Sequence, residues 1–326
     1  MARVFVTRTI PQEGLDQLRN ALGENEVAVF PHDRIINRAE LLEDVRGVEA
    51  ILSILTDPID AEVMDAAGPR LRVIANYAVG FNNIDVEAAS SRGIAVTNTP
   101  GVLTETTADI AWALLMTAAR RIAESERYLR AGKWEGWGPQ QFLGVDVHGA
   151  TLGIYGMGRI GQAVARRGKG FGMRVLYTSR NPIEPDVEAE LGAERVDKDT
   201  LLAESDFLSI HCPLTDETRG AFGAAEFKTM KSSAVLINTS RGPVVDEGAL
   251  AQALQRGDLF GAGLDVFEKE PKVHPDILQC ENAVLIPHLG SASFATRRRM
   301  AEMTAENILA VLNGETPPNC VNPEAL

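Results

Sequence analysis

Cysteine, aromatic side chains, long apolar runs and net positive charge are all scarce in this 326-residue chain, and each scarcity excludes something. The three cysteines, Cys212, Cys280 and Cys320, are an odd number with no C-x-x-C spacing. They argue against a zinc site or a disulfide framework, and for a reducing, cytoplasmic compartment. No apolar run approaches the roughly 18 residues of a membrane span. Residues 1–10 alternate apolar and polar side chains, where a signal peptide needs a continuous hydrophobic stretch. The balance of 32 basic against 45 acidic residues gives a net charge of −13, which repels nucleic acid and anionic membrane surfaces. Any anionic ligand therefore needs a local basic site.

What is present is alternation. Short β-branched runs at residues 3–7, 26–30, 50–54, 71–76 and 94–97 are separated by helical stretches at 12–22, 38–45, 60–67 and 85–91, which predicts βα units around a parallel sheet. A second series begins at Thr151, with runs at 174–178, 207–211, 234–238, 261–266 and 283–286. Helical stretches at 162–170, 187–191, 199–204 and 247–256 lie between them, so a doubly wound sheet of about six strands is expected. Asn98-Thr99-Pro100-Gly101 punctuates the boundary. Residues 104–130 then read as one long helix, followed by a glycine-bearing loop whose Trp134, Trp137 and Phe142 suit a subunit contact. A last helix over 292–312 is expected to return to the first domain, leaving a cleft between the two.

The second series opens on Gly156, Gly158 and Gly161, spaced G-x-G-x-x-G between a strand and a helix. One glycine permits the tight turn, one lets backbone approach a pyrophosphate, and one lets helix pack against strand. The first-turn amides at Arg159 and Ile160 would face the phosphate charge. This is a dinucleotide-binding pattern. Eighteen residues beyond Gly161, where an acid commonly holds the ribose 2′-hydroxyl, stands Ser179, followed by Arg180. Without the acid nothing repels a 2′-phosphate, so NADPH is expected to be preferred, with NADH also used.

Three residues past strand ends of this domain suit acid–base chemistry. Arg241 offers a fork for a carboxylate, an imidazole such as that of His288 can give or take a proton, and a carboxylate such as Glu270 beside a histidine orients its ring. Each also has a plainer reading, as a solvated loop cation, a surface charge and a hydrogen-bonded structural histidine respectively. Spacing alone does not show that they converge. In the first domain, the loop at residues 77–83 follows the fourth strand, at the edge where open α/β sheets bind ligands, although Gly80 also suits a simple turn.

The Gly156–Gly161 turn, the turn at Asn238 to Gly242, the segment from Gly263 to Pro271 and the run from Pro287 to Ala292 together resemble the D-isomer-specific 2-hydroxyacid dehydrogenase family over essentially the whole chain. Residues 76–85 and 290–294 are most similar to its glyoxylate/hydroxypyruvate reductase branch. The resemblance implies a Rossmann coenzyme domain (residues 99–288) inserted in a flavodoxin-like substrate domain (1–98 with 289–326). It implies catalytic roles for Arg241, Glu270 and His288, and substrate contacts from Val79, Gly80, Ser291 and Trp137, the last reaching a partner's active site. It also implies that Cys212, Pro213, Thr239, Asp265 and Gly290 line the cofactor. The expected activity is NAD(P)H-dependent reduction of glyoxylate and hydroxypyruvate by a homodimer, with no metal. Glutamate at 270 disfavours a formate dehydrogenase, which has glutamine there. A short phosphoglycerate dehydrogenase or other 2-hydroxyacid enzyme, or a dinucleotide-sensing corepressor of the same fold, would retain these motifs.

Overall fold

The computed structural model describes residues 2–326, which divide into two compact units. One unit comprises the described residues up to Leu103 together with Ala292–Leu326. Its strands β1 (Val4–Val6), β2 (Val27–Val29), β3 (Ala50–Ser53), β4 (Val73–Asn76) and β5 (Ala95–Thr97) form a parallel sheet in the order β2-β1-β3-β4-β5. Helices α1 (Gln12–Leu22), α2 (Arg38–Asp44), α3 (Ala61–Ala67) and α4 (Val86–Ser91) connect them. Every residue of β1, β3, β4 and β5 is buried, because helices cover both faces of a parallel sheet. Asn37, Asp60 and Asp85 cap the starts of α2, α3 and α4 with their own side chains, marking where each helix begins. The C-terminal helix, Phe294–Leu312, packs on α1 so closely that a Cβ on Gly14 would lie 2.6 Å from the Ala301 carbonyl oxygen. The tail then bridges to β5, where Asn322 accepts the Val96 amide at 2.7 Å.

The other unit, Thr104–Ser291, begins with α5 (Thr104–Ala119) and α6 (Ile122–Arg130). Here the expected single helix is two, because Arg121 adopts a left-handed φ of 52° that interrupts the ladder. Its strands are β6 (Thr151–Tyr155), β7 (Arg174–Thr178), β8 (Ala193–Arg195), β9 (Phe207–Ile210), β10 (Val235–Asn238), β11 (Gly261–Leu264) and β12 (Ala283–Leu285). They pair in parallel in the order β12-β11-β10-β9-β6-β7-β8, a doubly wound sheet that reverses direction between β6 and β9. The count is seven strands instead of six. The strand missed, β8, is a three-residue edge strand with no fully buried position, so it lacks the apolar run that marked the others. Helices α7 (Arg159–Gly170), α8 (Pro185–Leu191), α9 (Lys198–Glu204) and α11 (Glu247–Arg256) were legible as helical stretches; the short α10 (Ala224–Thr229) and α12 (Pro275–Leu278) were not. The described residues include no helix long and apolar enough to cross a membrane.

Candidate functional site

The glycine turn is built as the cofactor chemistry requires. Gly156 has φ 101°, and a Cβ there would meet the Cys212 backbone nitrogen at 2.6 Å. A Cβ on Gly161 would lie 2.2 Å from the Gly156 carbonyl oxygen, so Gly161 is what lets α7 approach β6. A Cβ on Gly158, by contrast, would meet no protein atom within 4 Å. The open space is therefore on the outer side of the turn, where backbone can approach a ligand. Gly158 is also the N-cap of α7 and provides no side-chain cap. The helix starts at Arg159, three residues before the expected Gln162, so the first-turn amides of Arg159 and Ile160 lack a protein cap and are available to an anion.

At the carboxyl end of β7, Ser179 is half-buried and Arg180 is exposed. The Ser179 hydroxyl donates to the Asn181 carbonyl. Past β9, burial of Cys212 raises its thiol to about 11, so it stays protonated at neutral pH, while the exposed Pro213 accepts from the Thr218 hydroxyl at 2.7 Å. Thr239 lies buried after β10. Sequence reasoning passed over His211, next to Cys212. Its imidazole lies 2.7 Å from the Ser209 hydroxyl and 3.5 Å from that of Thr239, and burial lowers it to about 3, which keeps it neutral. A histidine ending an apolar strand carried no motif that would have marked it.

Arg241, Glu270 and His288 follow the adjacent strands β10, β11 and β12. Asn238 shapes the arginine turn: its amide donates to the Arg241 carbonyl at 3.1 Å and its oxygen accepts from the Ser240 amide and hydroxyl. A Cβ on Gly242 would sit 1.8 Å from the Phe267 carbonyl carbon, so only glycine lets this turn press on the β11 exit. Burial depresses the Arg241 pKa, and the charge of Glu270 opposes that effect. One Glu270 oxygen accepts the Phe267 amide at 3.0 Å, and the other lies 2.8 Å from His288 Nδ1. Burial pushes the Glu270 carboxyl up, but the hydrogen bond and charge of His288, the Phe267 amide and Arg241 more than offset it, so its net shift is downward.

His288 itself has a φ of 53°, an uncommon conformation for a non-glycine residue. Asp265 holds it there. The Asp265 carbonyl accepts the His288 amide at 2.9 Å, and its two carboxylate oxygens accept the amides of Leu289 and Gly290. Thr107 completes the brace by donating to the Gly290 carbonyl at 2.9 Å. Asp265 and Gly290 thus tie the histidine turn together. Ser291 is half-buried just beyond it.

In the first unit, the loop after β4 is drawn inward by three asparagines. Asn98 donates to the Val79 carbonyl at 2.7 Å and Asn76 to the Gly80 carbonyl at 2.8 Å. Asn83 bridges Asn76 to the carbonyls of Ile54 and Asp57. With those carbonyls engaged, the Val79 and Gly80 amides donate to no acceptor among the described residues. Two adjacent uncommitted amides are donors of the kind that an anion can engage.

Trp137 is 83% exposed and Trp134 is 55% exposed. Phe142 departs from expectation. It packs within the chain, 5.2 Å from the Tyr128 ring and under Arg121 at 5.4 Å, because that φ-positive pair of residues folds the loop back on α6.

Residues 112–290 match the family model described as the D-isomer specific 2-hydroxyacid dehydrogenase, NAD binding domain. The chain belongs to the D-isomer specific 2-hydroxyacid dehydrogenase family. A glyoxylate reductase of Korarchaeum cryptofilum is 56% identical to it over 99% of this chain and 97% of its own. The crystal structure of the TT0316 protein from Thermus thermophilus superimposes with a TM-score of 0.91 at 49% identity, over 98% of this chain and 99% of its own. An NADPH-dependent glyoxylate/hydroxypyruvate reductase from Sinorhizobium meliloti, in complex with NADP and malonate, gives a TM-score of 0.85 at 35% identity, covering 99% of this chain and 97% of its own. The family's cofactor is a nicotinamide dinucleotide, and the cradle fits one. The Gly158 side is open, the α7 amides are uncapped, and the catalytic candidates stand on the same sheet.

Proposed function

We propose that this dehydrogenase reduces glyoxylate, and hydroxypyruvate alongside it, to the corresponding 2-hydroxy acids with NADPH as preferred reductant and NADH accepted. The observation that carries the reading is the 2.8 Å pair between His288 and Glu270, with Arg241 on the next strand, in the unit that holds the dinucleotide turn. The bound reduced nicotinamide would supply a hydride to the 2-carbonyl carbon. Gly156, Gly158 and Gly161, with the amides of Arg159 and Ile160, hold the pyrophosphate, and Ser179 and Arg180 receive the 2′-phosphate. Cys212, Pro213, Thr239, Asp265 and Gly290 line the remaining length of the cofactor. Arg241 forks onto the substrate carboxylate and polarises the carbonyl. The protonated imidazole of His288, with Nδ1 held by Glu270, donates its Nε2 proton to the forming alkoxide. The Val79 and Gly80 amides hold the carboxylate, and Ser291 stands beside the histidine.

In this reading the unit expected at residues 1–98 with 289–326 serves the substrate and that expected at 99–288 the coenzyme, the compact units themselves dividing a few residues later, at Leu103/Thr104 and Ser291/Ala292. The protein works as a homodimer in the cytoplasm, with the exposed Trp137 reaching the partner; the exposed Leu129, Trp134 and Leu143 support that arrangement, and three free cysteines suit a reducing compartment. The test is turnover of glyoxylate, hydroxypyruvate, pyruvate and 3-phosphohydroxypyruvate, each with NADPH and NADH. Glyoxylate with NADPH should give the highest kcat/KM. Preference for 3-phosphohydroxypyruvate would reassign the substrate, and tight dinucleotide binding without turnover would point to a sensor.

A further inference from the structure

The corner beyond β7 contains a residue with no role so far. Arg195 ends the edge strand β8 and is registered against Tyr177 of β7. Its Nη2 donates to the Ser179 carbonyl at 3.1 Å and to the Arg180 carbonyl at 3.4 Å. The same loop is closed from its other side by the Ser179 hydroxyl on the Asn181 carbonyl and by the Ile183 amide on the Tyr177 hydroxyl at 3.4 Å. Arg174, at the start of β7, is neutralised by Glu194 and Glu204. Among the described residues, neither Arg180 nor Arg195 forms a salt bridge, and the acid that feels Arg180 is Glu217, an exposed carboxylate lowered first by its hydrogen bond to Thr215.

The consequence is one of peptide geometry. In a trans peptide the C=O and the following N–H point in opposite directions. When Arg195 draws the carbonyls of Ser179 and Arg180 toward β8, the amides of Arg180 and Asn181 turn the other way, and those amides donate to no acceptor among the described residues. The turn therefore offers N–H groups to an anion and withdraws its carbonyl lone pairs. Outward-facing amides next to an arginine are the donors that a phosphate recognises.

We infer that Arg195 is a positioning residue for cofactor selectivity: by holding the Ser179 and Arg180 carbonyls it shapes the turn whose Arg180 side chain and amides receive the 2′-phosphate of NADPH. This rests on the NADPH reading above. It explains why a lone arginine at position 180 suffices in a chain of net charge −13. The neighbouring backbone is already arranged to add donors, and no carboxylate competes from the position that an NAD-specific acid would occupy.

The experiment is calorimetric titration of the full-length protein with 2′,5′-ADP and with 5′-AMP, for wild type, Arg195→Ala, Arg195→Lys and Arg180→Ala. The readout is the ratio of the two dissociation constants, which general loosening of the nucleotide site would not move. Wild type should favour 2′,5′-ADP. Arg195→Ala should lower that ratio by about tenfold, Arg195→Lys should restore most of it through a single ammonium donor, and Arg180→Ala should abolish it. A wild-type ratio near unity would overturn the NADPH reading and the inference with it. A wild-type preference that survives in Arg195→Ala while Arg180→Ala loses it would overturn the inference alone. Equal weakening of both ligands by Arg195→Ala would also overturn it, since that marks a structural residue.

Discussion

Glu270 divides its carboxylate between two tasks, accepting the Phe267 amide on one oxygen and facing His288 Nδ1 on the other at 2.8 Å. The backbone bond fixes where the carboxylate stands, and the second contact fixes which way the imidazole faces. Replacing Glu270 with Gln keeps one acceptor but loses the charge, and kcat for glyoxylate reduction should fall by roughly 10- to 100-fold with a smaller change in KM. The pH dependence of stability follows from the downward shift of this carboxyl. A depressed folded-state pKa contributes stability that is present above the unfolded value, 4.5, and is lost as pH falls through the folded one. Thermal melts should therefore separate wild type from Glu270→Gln near neutrality and converge in acid.

Asp265 shifts the opposite way. Burial raises its carboxyl from 3.8 to about 6, against the pull of the Leu289 and Gly290 amides and the charge of His288. A raised folded-state pKa favours folding while the group is protonated, and that contribution disappears as pH climbs through about 6. Asp265→Asn should remove this component from melts recorded between about pH 4 and 7. It should also lower kcat, because Asn has one acceptor oxygen for two amides and the left-handed His288 turn loses part of its brace.

The second and third glycines of the cofactor turn should respond differently to the same methyl group. Gly161→Ala places Cβ against the Gly156 carbonyl and should lower the melting temperature, with a cost of about 1–3 kcal/mol. Gly158→Ala meets no protein atom, so it should melt like wild type while weakening NADPH binding by about tenfold or more, measured by fluorescence titration. Equal effects from both would contradict the division of roles.

Asn98 tests the proposed role of the Val79 and Gly80 amides. Removing its 2.7 Å bond to the Val79 carbonyl in Asn98→Ala frees that peptide to rotate. KM for glyoxylate should rise by about five- to tenfold, with the dissociation constant for NADPH unchanged, in steady-state and binding measurements.

Much of this arrangement was written in local pattern. Buried parallel strands are nearly all apolar, so β4 and β9 stand out, and the glycine spacing at 156, 158 and 161 marks the turn in the sequence itself. What local pattern did not carry was of two kinds. Edge and short elements such as β8 and α12 bury too little to leave a period, and the break at Arg121 depends on a backbone angle that a charged residue does not advertise. The convergence of Glu270 on His288 was legible only as shared strand ends. The supporting residues were harder still: the bracing role of Asp265, the asparagine ties on Val79 and Gly80, and Arg195 all act through backbone carbonyls or amides, which side-chain chemistry in a sequence does not reveal.

The central claim, that His288 delivers the proton for reduction of a 2-oxo acid by bound NADPH, is tested most directly by single-turnover oxidation of enzyme-bound NADPH on mixing with glyoxylate, comparing wild type with His288→Ala. We expect rapid oxidation by wild type and a rate lower by about 10²- to 10⁴-fold in His288→Ala, with NADPH affinity retained. Wild-type protein that binds NADPH but leaves it unoxidised, or a His288→Ala variant that oxidises it at the wild-type rate, would contradict that claim.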